Sequence, residues 1–144
     1  EGYMDSGDAR GVGGWACIPG RTSGLTIDIW QVDNNGNQLT SGYMMTLKMD
    51  LNRADLRGVA TCGCSSTNNC VRGFSQAWKD MPASFQQKWG GKSVNVAAYL
   101  IGPTPTYKLK INSPSTLHRY FVADIPRYVA PTKPTPNPTP KPTP

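Results

Sequence analysis

Glutamate and histidine are almost absent from this sequence, since each occurs once, as Glu1 and His118. Good helix formers are scarce beside 15 glycines and many Thr, Asn and Ser residues, which excludes a helix bundle. The chain also lacks any apolar run near the roughly 18 to 20 residues that a membrane-spanning helix needs. These absences predict an all-β protein with no membrane span.

The signatures of common catalytic sites are missing as well. There is no Gly-x-Ser-x-Gly segment, and His118 is the sole histidine that a serine triad could use. The nine acidic residues fall in predicted loops, turns and polar strand faces, with no pattern that pairs two carboxylates across a cleft. We therefore predict that the domain is not an enzyme and uses no cofactor.

Four cysteines are present, and three of them lie within nine residues of one another. Their spacing contains no Cys-x-x-Cys or Cys/His knuckle, so a metal site is not expected. Two disulfides in an oxidising compartment, secreted or at the cell surface, are expected instead. Cys62 and Cys64 are too close to bridge each other without strain. Two pairings therefore remain open: Cys17–Cys62 with Cys64–Cys70, or Cys17–Cys64 with Cys62–Cys70.

Residues 131–144 consist almost entirely of proline and threonine. Such a segment favours extended polyproline II structure and serves as a semi-rigid spacer, or as a Pro-rich docking ligand. We predict one domain at residues 1–130 and a linker at residues 131–144 that leads to a further domain beyond Pro144. Because no leader is visible and the sequence does not begin with Met, Glu1 is expected to be a mature N-terminus or an artificial boundary of the expressed piece.

Basic residues outnumber acidic residues by 15 to nine. The tail holds two of the lysines, so the remaining 13 basic and nine acidic residues give the domain a net charge of +4. The basic residues are scattered, which is not the footprint of a nucleic-acid-binding protein. The charge is compatible with an anionic glycan or cell-envelope partner.

Alternating apolar and polar residues predict a series of short strands. The predicted strands span residues 25–32, 43–51, 71–78, 93–101, 107–111 and 119–125. In the second of these, one side is expected to carry Met45, Leu47, Met49 and Leu51. A turn at residues 33–37 joins the first two strands, and a short helix is expected at residues 82–89. The pattern predicts an antiparallel β-sandwich with one short helix and two disulfides.

Four further residues have a predicted structural role. Residues 52–58 are expected to form one helical turn, and Arg53 and Asp55 are expected to make an ion pair. Trp15 and Trp78 are expected in the core, the first beside a disulfide-bonded cysteine and the second in register with Phe74.

Aromatic residues on the wet faces of strands are the candidate functional groups. If Ile27 and Ile29 face the core, Trp30 shares the opposite face with Asp28. Tyr99 likewise shares a face with Asn95. A flat aromatic ring covers the apolar C–H face of a pyranose, while nearby carboxylates and amides bind its hydroxyl groups.

We therefore predict a ligand site of five residues: Trp30, Tyr99, Asp28, Asn95 and Trp89. Two alternatives stay open. Trp89 could instead pack the helix at residues 82–89 onto the core. The face that holds Trp30 and Tyr99 could be covered by that helix or by residues 116–128, which would bury both rings.

Several short segments occur in a familiar order. They are Gly14-Trp15-Ala16-Cys17, Ile27-Asp28-Ile29, Arg53-Ala54-Asp55-Leu56, Gly73-Phe74, Val94-Asn95-Val96-Ala97-Ala98-Tyr99 and Asn112-Ser113-Pro114. Over residues 1–115 the chain resembles a small β-sandwich module with Gly-Trp-Ala-Cys, Arg-Pro-Asp-Val and Gly-Phe motifs, found in secreted and surface bacterial proteins, often beside carbohydrate-active domains. The chain departs from that pattern at Ala54, where proline is usual, in the expanded loop at residues 62–70, and in the helix-like insert at residues 85–89. The resemblance implies the fold and the compartment, and it says nothing about an activity.

Two functions from different classes fit these observations. The first is a non-catalytic binding module that recognises a glycan or a cell-envelope polymer. The second is a structural or adhesive module that contacts proteins or spaces other domains. The first predicts an exposed, coplanar strip of aromatic rings, whereas the second predicts that Trp30 and Tyr99 are buried.

Overall fold

A computed structural model describes residues 2–21, 25–64, 70–102, 108–111 and 119–128. The predicted linker at residues 131–144 and the motif residues Asn112, Ser113 and Pro114 lie outside this part of the chain. The strands that it contains are β1 Gly2–Gly7, β2 Gly11–Ala16, β3 Thr26–Val32, β4 Gln38–Lys48, β5 Leu51–Asn52, β6 Val71–Ala77, β7 Ser93–Ile101, β8 Lys108–Lys110 and β9 Phe121–Asp124. The α-helix α1 spans Ala83–Trp89.

The strands form two antiparallel sheets that pack as a β-sandwich. The first sheet has the order β1-β2-β6-β5. The second has the order β4-β3-β7-β8, and β9 pairs with the other half of β7. The predicted fold class, with one short helix and two disulfides, is therefore confirmed. Strands β1 and β2 were not predicted, because their glycine-rich sequences lack the alternation of apolar residues that marks a strand.

The main core fills the space between the sheets. Ile27 and Ile29 of β3 are fully buried, as is Leu100, which lies directly opposite Ile27 on β7. Phe74 of β6 reaches the same core from the first sheet. Each fully buried apolar side chain contributes on the order of 1.5 to 3 kcal/mol. The alternation in β3 and β7 therefore decides which face of the second sheet points outward.

Helix α1 packs onto one end of the core. Phe85 stacks on Trp78 with ring centroids 5.8 Å apart and planes 12° apart. Trp78 itself is fully buried, and its indole Nε1 donates to the carbonyl oxygen of Asp8 at 2.6 Å. The predicted helix and the buried position of Trp78 are confirmed. Strand β6 ends one residue earlier than expected, and Trp78 begins a single 3-10 turn, Trp78–Asp80.

A second, smaller cluster lies around the disulfides. The pairs are Cys17–Cys62 and Cys64–Cys70, which decides between the two pairings that the sequence left open. Leu56 is buried against Cys17 and Cys62. It belongs to a 3-10 helix at Ala54–Gly58, so the predicted turn is 3-10 in type. Trp15 was predicted to lie in the core. It is instead only partly buried, and it packs against this smaller cluster.

One predicted strand is divided between the two sheets. The chain leaves β4 after Lys48 and enters β5 of the first sheet at Leu51. Leu51 is 43% exposed, so the prediction that it shares a buried side with Met45 and Leu47 is wrong. The reason is the crossing from one sheet to the other, which ends the alternation. Met44 and Met45 are both buried, which indicates a bulge in β4.

Candidate ligand-binding face

The outer side of the five-stranded sheet carries most of the predicted site. Strand register sets Asp28 opposite Tyr99 and Trp30 opposite Ala97. On the other side of β3, Asp28 lies opposite Thr46 and Trp30 opposite Tyr43. We call this surface the outer face. Its members are Asp28, Trp30, Tyr43, Thr46, Asn95, Ala97, Tyr99, Lys110 and Tyr120.

An irregularity in β4 brings Tyr43 beside Trp30. Ile29 pairs with Met45 and the next residue, Trp30, pairs with Tyr43, so Met44 is an extra residue. Because of this extra residue, the residues that precede it in β4 point to the side opposite to the one that simple alternation predicts. Tyr43 therefore points outward and is 47% exposed. Its ring meets that of Trp30 edge-on, with centroids 5.7 Å apart and planes 72° apart.

A chain of hydrogen bonds runs beside this aromatic pair. The hydroxyl of Thr46 donates to Asp28 Oδ1 at 2.7 Å. The hydroxyls of Tyr43 and Thr46 are also 2.7 Å apart, and because the Thr46 proton goes to Asp28, Tyr43 is the donor. Asp28 is half-buried, and its hydrogen bond with Thr46 uses one of its two carboxylate oxygens. The other oxygen can accept a hydrogen bond from a hydroxyl group of a ligand.

Tyr99 forms part of the floor of the outer face. It is 8% exposed and packs with Ala97 and Val32, both buried, while the rings of Trp30 and Tyr120 lie partly exposed against them. Burial raises the pKa of the Tyr99 hydroxyl, so this group stays protonated at neutral pH. Tyr99 supports the neighbouring rings and offers little surface to a ligand.

The turn after β3 is fastened to one end of the outer face. Asn95 Nδ2 donates to Asn34 Oδ1 at 3.1 Å, and the Tyr120 hydroxyl donates to the Asn34 carbonyl at 3.4 Å. Lys110 Nζ donates to the carbonyl oxygen of Gly36. Asn95 is thus on the outer face, as predicted, and its amide is already engaged with the turn.

Trp89 lies elsewhere. It is 3% exposed and packs in the main core beside Phe85, with ring centroids 6.4 Å apart. Of the two predicted roles, the structure has the one in which Trp89 holds the helix onto the core. Lys88 and Lys92 extend over its ring, at 4.8 and 5.8 Å from the centroid. The outer face therefore brings together four of the five predicted residues.

The sequence left open whether the helix or residues 116–128 cover the outer face, and the structure answers part of this question. Helix α1 packs onto the core and does not cross this face. Residues 119–128 extend the second sheet through β9, and Tyr120 alone among them joins the aromatic cluster. Residues 116–118, the rest of the predicted cover, lie outside the described residues.

Sequence reasoning missed Tyr43, Thr46 and Tyr120. Simple alternation placed Tyr43 on the same side as Met45, toward the core. The nearest local signal is Gly42, which lies in the next irregularity of β4 and whose Cβ, if present, would lie 2.5 Å from the carbonyl oxygen of Gln31. Tyr120 was included in a predicted strand, but its neighbours on β7 depend on the pairing of distant segments.

A cleft of about 220 Å³ opens on the first sheet, away from the predicted residues. Polar side chains line it from the β1–β2 turn and the end of β6, namely Ser6, Asp8, Arg10, Ser75 and Gln76. The Arg10 backbone amide donates to Asp8 Oδ1 at 2.8 Å and is the main reason that the pKa of Asp8 is lowered. The two residues also form an exposed ion pair at 3.3 Å.

Neither a metal site nor a membrane span is found in the described residues. No cluster of three or more His, Cys, Asp or Glu side chains within them is arranged to hold a metal ion. Among the described residues, no helix has the length and the apolar character that are needed to cross a membrane.

Comparison of the chain with protein-family models, with curated proteins and with solved structures finds no match.

Proposed function

We propose that this domain is a non-catalytic binding module that recognises a glycan or a cell-envelope polymer through its outer face. The observation that carries the proposal is the partly exposed pair of Trp30 and Tyr43 next to the hydrogen-bonded chain of Tyr43, Thr46 and Asp28. Both features suit sugar recognition, because an aromatic ring covers the apolar C–H face of a pyranose and a fixed carboxylate accepts hydrogen bonds from its hydroxyl groups.

The geometry of the aromatic pair favours a particular kind of glycan. The two ring planes are 72° apart, so they form a corner and not the coplanar strip that the sequence led us to expect. A coplanar strip matches a flat crystalline polymer surface, whereas a corner accepts a single sugar ring against one plane and its neighbour against the other. We therefore favour a soluble or flexible chain as the ligand.

The compartment supports an extracellular role. Two disulfides are present, and the described part of the chain has no unpaired cysteine. Disulfides of this kind persist in oxidising environments outside the cytosol. We propose that the domain is secreted or displayed at the cell surface, where the Pro-Thr segment joins it to a further domain.

One observation favours the second function, a structural or adhesive module. Tyr99 is 8% exposed and Trp89 is 3% exposed, so two of the three predicted aromatic ligands offer little surface. Trp30, which is half-buried, is intermediate between the two predictions. A protein-contacting module would use the same outer face without needing the Asp28 carboxylate.

Binding of the full chain to a glycan array, followed by titration calorimetry with the best ligand, tests the proposal. We expect Trp30→Ala and Tyr43→Ala each to weaken binding about five- to tenfold, since a lost aromatic contact costs on the order of 1 to 1.5 kcal/mol. Asp28→Asn should weaken binding more than either of these two substitutions, and it should leave the sheet intact. The matched control is Tyr3→Ala, because Tyr3 is a partly exposed tyrosine on the other sheet.

Near-ultraviolet circular dichroism establishes that each variant is folded. Loss of binding in Tyr3→Ala, with retention in Trp30→Ala, would assign the ligand to the other sheet and contradict the proposed site. Absence of any glycan ligand, together with capture of a defined protein partner that Asp28→Asn does not disturb, would favour the adhesive module.

A further inference from the structure

We propose that the ligand of the outer face is an anionic polymer, and that its carboxylate or phosphodiester groups bind between Lys110 and Arg119. This inference rests on the proposed function and adds to it the charge of the ligand and the residues that select it.

The two basic side chains converge at one end of the outer face. Lys110 of β8 lies directly opposite Tyr99 on β7. Its Nζ donates to the Gly36 carbonyl, which holds the side chain along the face toward the turn after β3. Arg119 Nη1 donates to the Lys110 carbonyl at 3.3 Å, so the guanidinium lies against the same strand.

Among the described residues around them, positive charge is in excess. Within this part of the chain, Asp33 is the acidic residue that acts on both Tyr99 and Lys110. Its Oδ1 accepts from the backbone amides of Asn35 and Asn37, at 2.8 and 2.9 Å, so this carboxylate is already used by its own turn. Two cations and one such carboxylate make a site in which an added anion is favoured.

The electrostatics of Lys110 agree with this geometry. Burial lowers the pKa of its ammonium group, the charge of Arg119 lowers it further, and Asp33 opposes both effects. An anion placed between Lys110 and Arg119 would compensate for the solvation that Lys110 loses on burial. It would also reduce the repulsion between the two positive charges. Partly desolvated charges bind a counter-ion more strongly than fully solvated ones.

Arg119 also has an unusual backbone. It is the non-glycine residue with a positive φ, 60°, within the described part of the chain. This left-handed conformation costs a residue with a side chain on the order of 1 kcal/mol and is found preferentially where function requires it. Arg119 is exposed as a residue, which makes it accessible to a ligand.

The spacing of the sheet connects this cationic end with the aromatic pair. Trp30 is on β3 and Lys110 on β8, two strand spacings away, which is about 10 Å at the usual separation of paired strands. A polymer lying across the strands could therefore place one ring against Trp30 and Tyr43 and an acidic group of a following unit between Lys110 and Arg119. An arginine binds carboxylate or phosphate through paired N–H groups, which gives direction to the contact.

Titration calorimetry with three probes tests the inference: an oligogalacturonate, the same oligomer as its methyl ester, and a poly(glycerol phosphate). The variants are Lys110→Met, Arg119→Gln and Trp30→Ala. Lys48→Met is the matched control, because Lys48 is an exposed lysine on the outer side of β4, at the far edge of the same sheet. Chemical denaturation verifies that each variant is folded.

We expect at least one anionic probe to bind and the methyl ester to bind at least about tenfold more weakly. Arg119→Gln and Lys110→Met should each weaken the anionic probe about tenfold, whereas Lys48→Met should not, and added salt should weaken binding of the wild type. Preference for the oligogalacturonate identifies a carboxylate as the natural group, and preference for the other polymer identifies a phosphodiester.

The outcomes separate this inference from the proposed function. If the methyl ester binds as well as the acid and Trp30→Ala abolishes both, the anion site is wrong and the glycan module stands. If the anionic probes depend on Arg119 and Lys110 but not on Trp30, the anion site stands and the aromatic contact falls. Binding of none of the three probes contradicts the inference.

Discussion

At the scale of single residues, Arg53 connects three separate parts of the chain. Its Nε and Nη2 donate to the two carboxylate oxygens of Asp55 at 2.9 and 2.7 Å, which confirms the predicted ion pair. Its Nη1 donates to Asp5 of β1 at 2.7 Å. The aliphatic part of its side chain also lies over the backbone of β6. Its Cγ is 2.8 Å from the position that a Cβ on Gly73 would take. Arg53 therefore holds the disulfide-linked segment against the first sheet.

Replacement of Arg53 by glutamine should lower the free energy of unfolding by about 1 kcal/mol, because two partly exposed ion pairs are lost and each is weakened by solvent. Urea denaturation at pH 7 measures the change. The control is Arg57→Gln in the same 3-10 helix, where the side chain is exposed and the effect should be within about 0.5 kcal/mol. Equal effects of the two substitutions would contradict this role.

The same ion pair predicts a pH dependence. The side-chain hydrogen bonds and charge of Arg53 lower the pKa of Asp55 below its ordinary value. A carboxyl group with a lowered folded-state pKa contributes stability above its unfolded pKa, about 4, and loses it as the pH falls through the folded-state value. The difference in stability between wild type and Arg53→Gln should thus be full at pH 7 and shrink below pH 4. A difference that is constant down to pH 2 would exclude this linkage.

Among the elements, β4 shapes the outer face, where we propose that the ligand binds. Its first bulge turns Tyr43 outward, and its second occurs where Gln38 pairs with Val32. Gly42 lies within the second irregularity, and its backbone approaches the carbonyl of Gln31 more closely than any side chain would allow. The register of this one strand therefore decides whether Trp30 has an aromatic partner.

Substitution of Gly42 by alanine should lower the stability by about 1 to 3 kcal/mol, because the new Cβ would lie 2.5 Å from the carbonyl oxygen of Gln31. It should also weaken ligand binding, since Tyr43 is the next residue. Gly58→Ala is the matched control, as its Cβ would meet nothing within 4 Å. Thermal denaturation and calorimetry measure both effects, and similar stability of the two variants would show that β4 can shift without cost.

At the scale of the whole molecule, the two disulfides differ in the length of chain that they close. Cys17–Cys62 has a sequence separation of 45, and Cys64–Cys70 has a separation of 6. In the chain-entropy account, they stabilise the fold by about 4 and about 2 kcal/mol respectively. The first also joins β2 to the segment that carries Leu56, so it links two parts of the tertiary structure.

Removal of the long-range disulfide by Cys17→Ala with Cys62→Ala should therefore cost more stability than removal of the local one by Cys64→Ala with Cys70→Ala. The expected difference is about 2 kcal/mol, from loop length alone. Guanidinium denaturation of the two double variants, each under non-reducing conditions, checks the order. The reverse order would show that the local disulfide holds the small cluster together.

Much of this fold follows from local sequence. The alternation in residues 25–32 and 93–101 predicts β3 and β7, and the spacing of Phe85 and Trp89 after Pro82 predicts α1. Strand β2 could not be predicted, because its glycines carry no hydrophobic pattern. Gly14 is needed there for close packing, since a Cβ would lie 2.2 Å from the carbonyl oxygen of Tyr3 on the neighbouring strand.

The β-strands, the disulfides and the position of Trp30 and Asp28 opposite the core could be predicted from the sequence, because strand periodicity is a local property. The pairing of the cysteines, the contact of Tyr43 with Trp30 and the burial of Tyr99 and Trp89 are known only from the folded structure. These features depend on bulges and on contacts between distant segments, and neither has a fixed period along the chain.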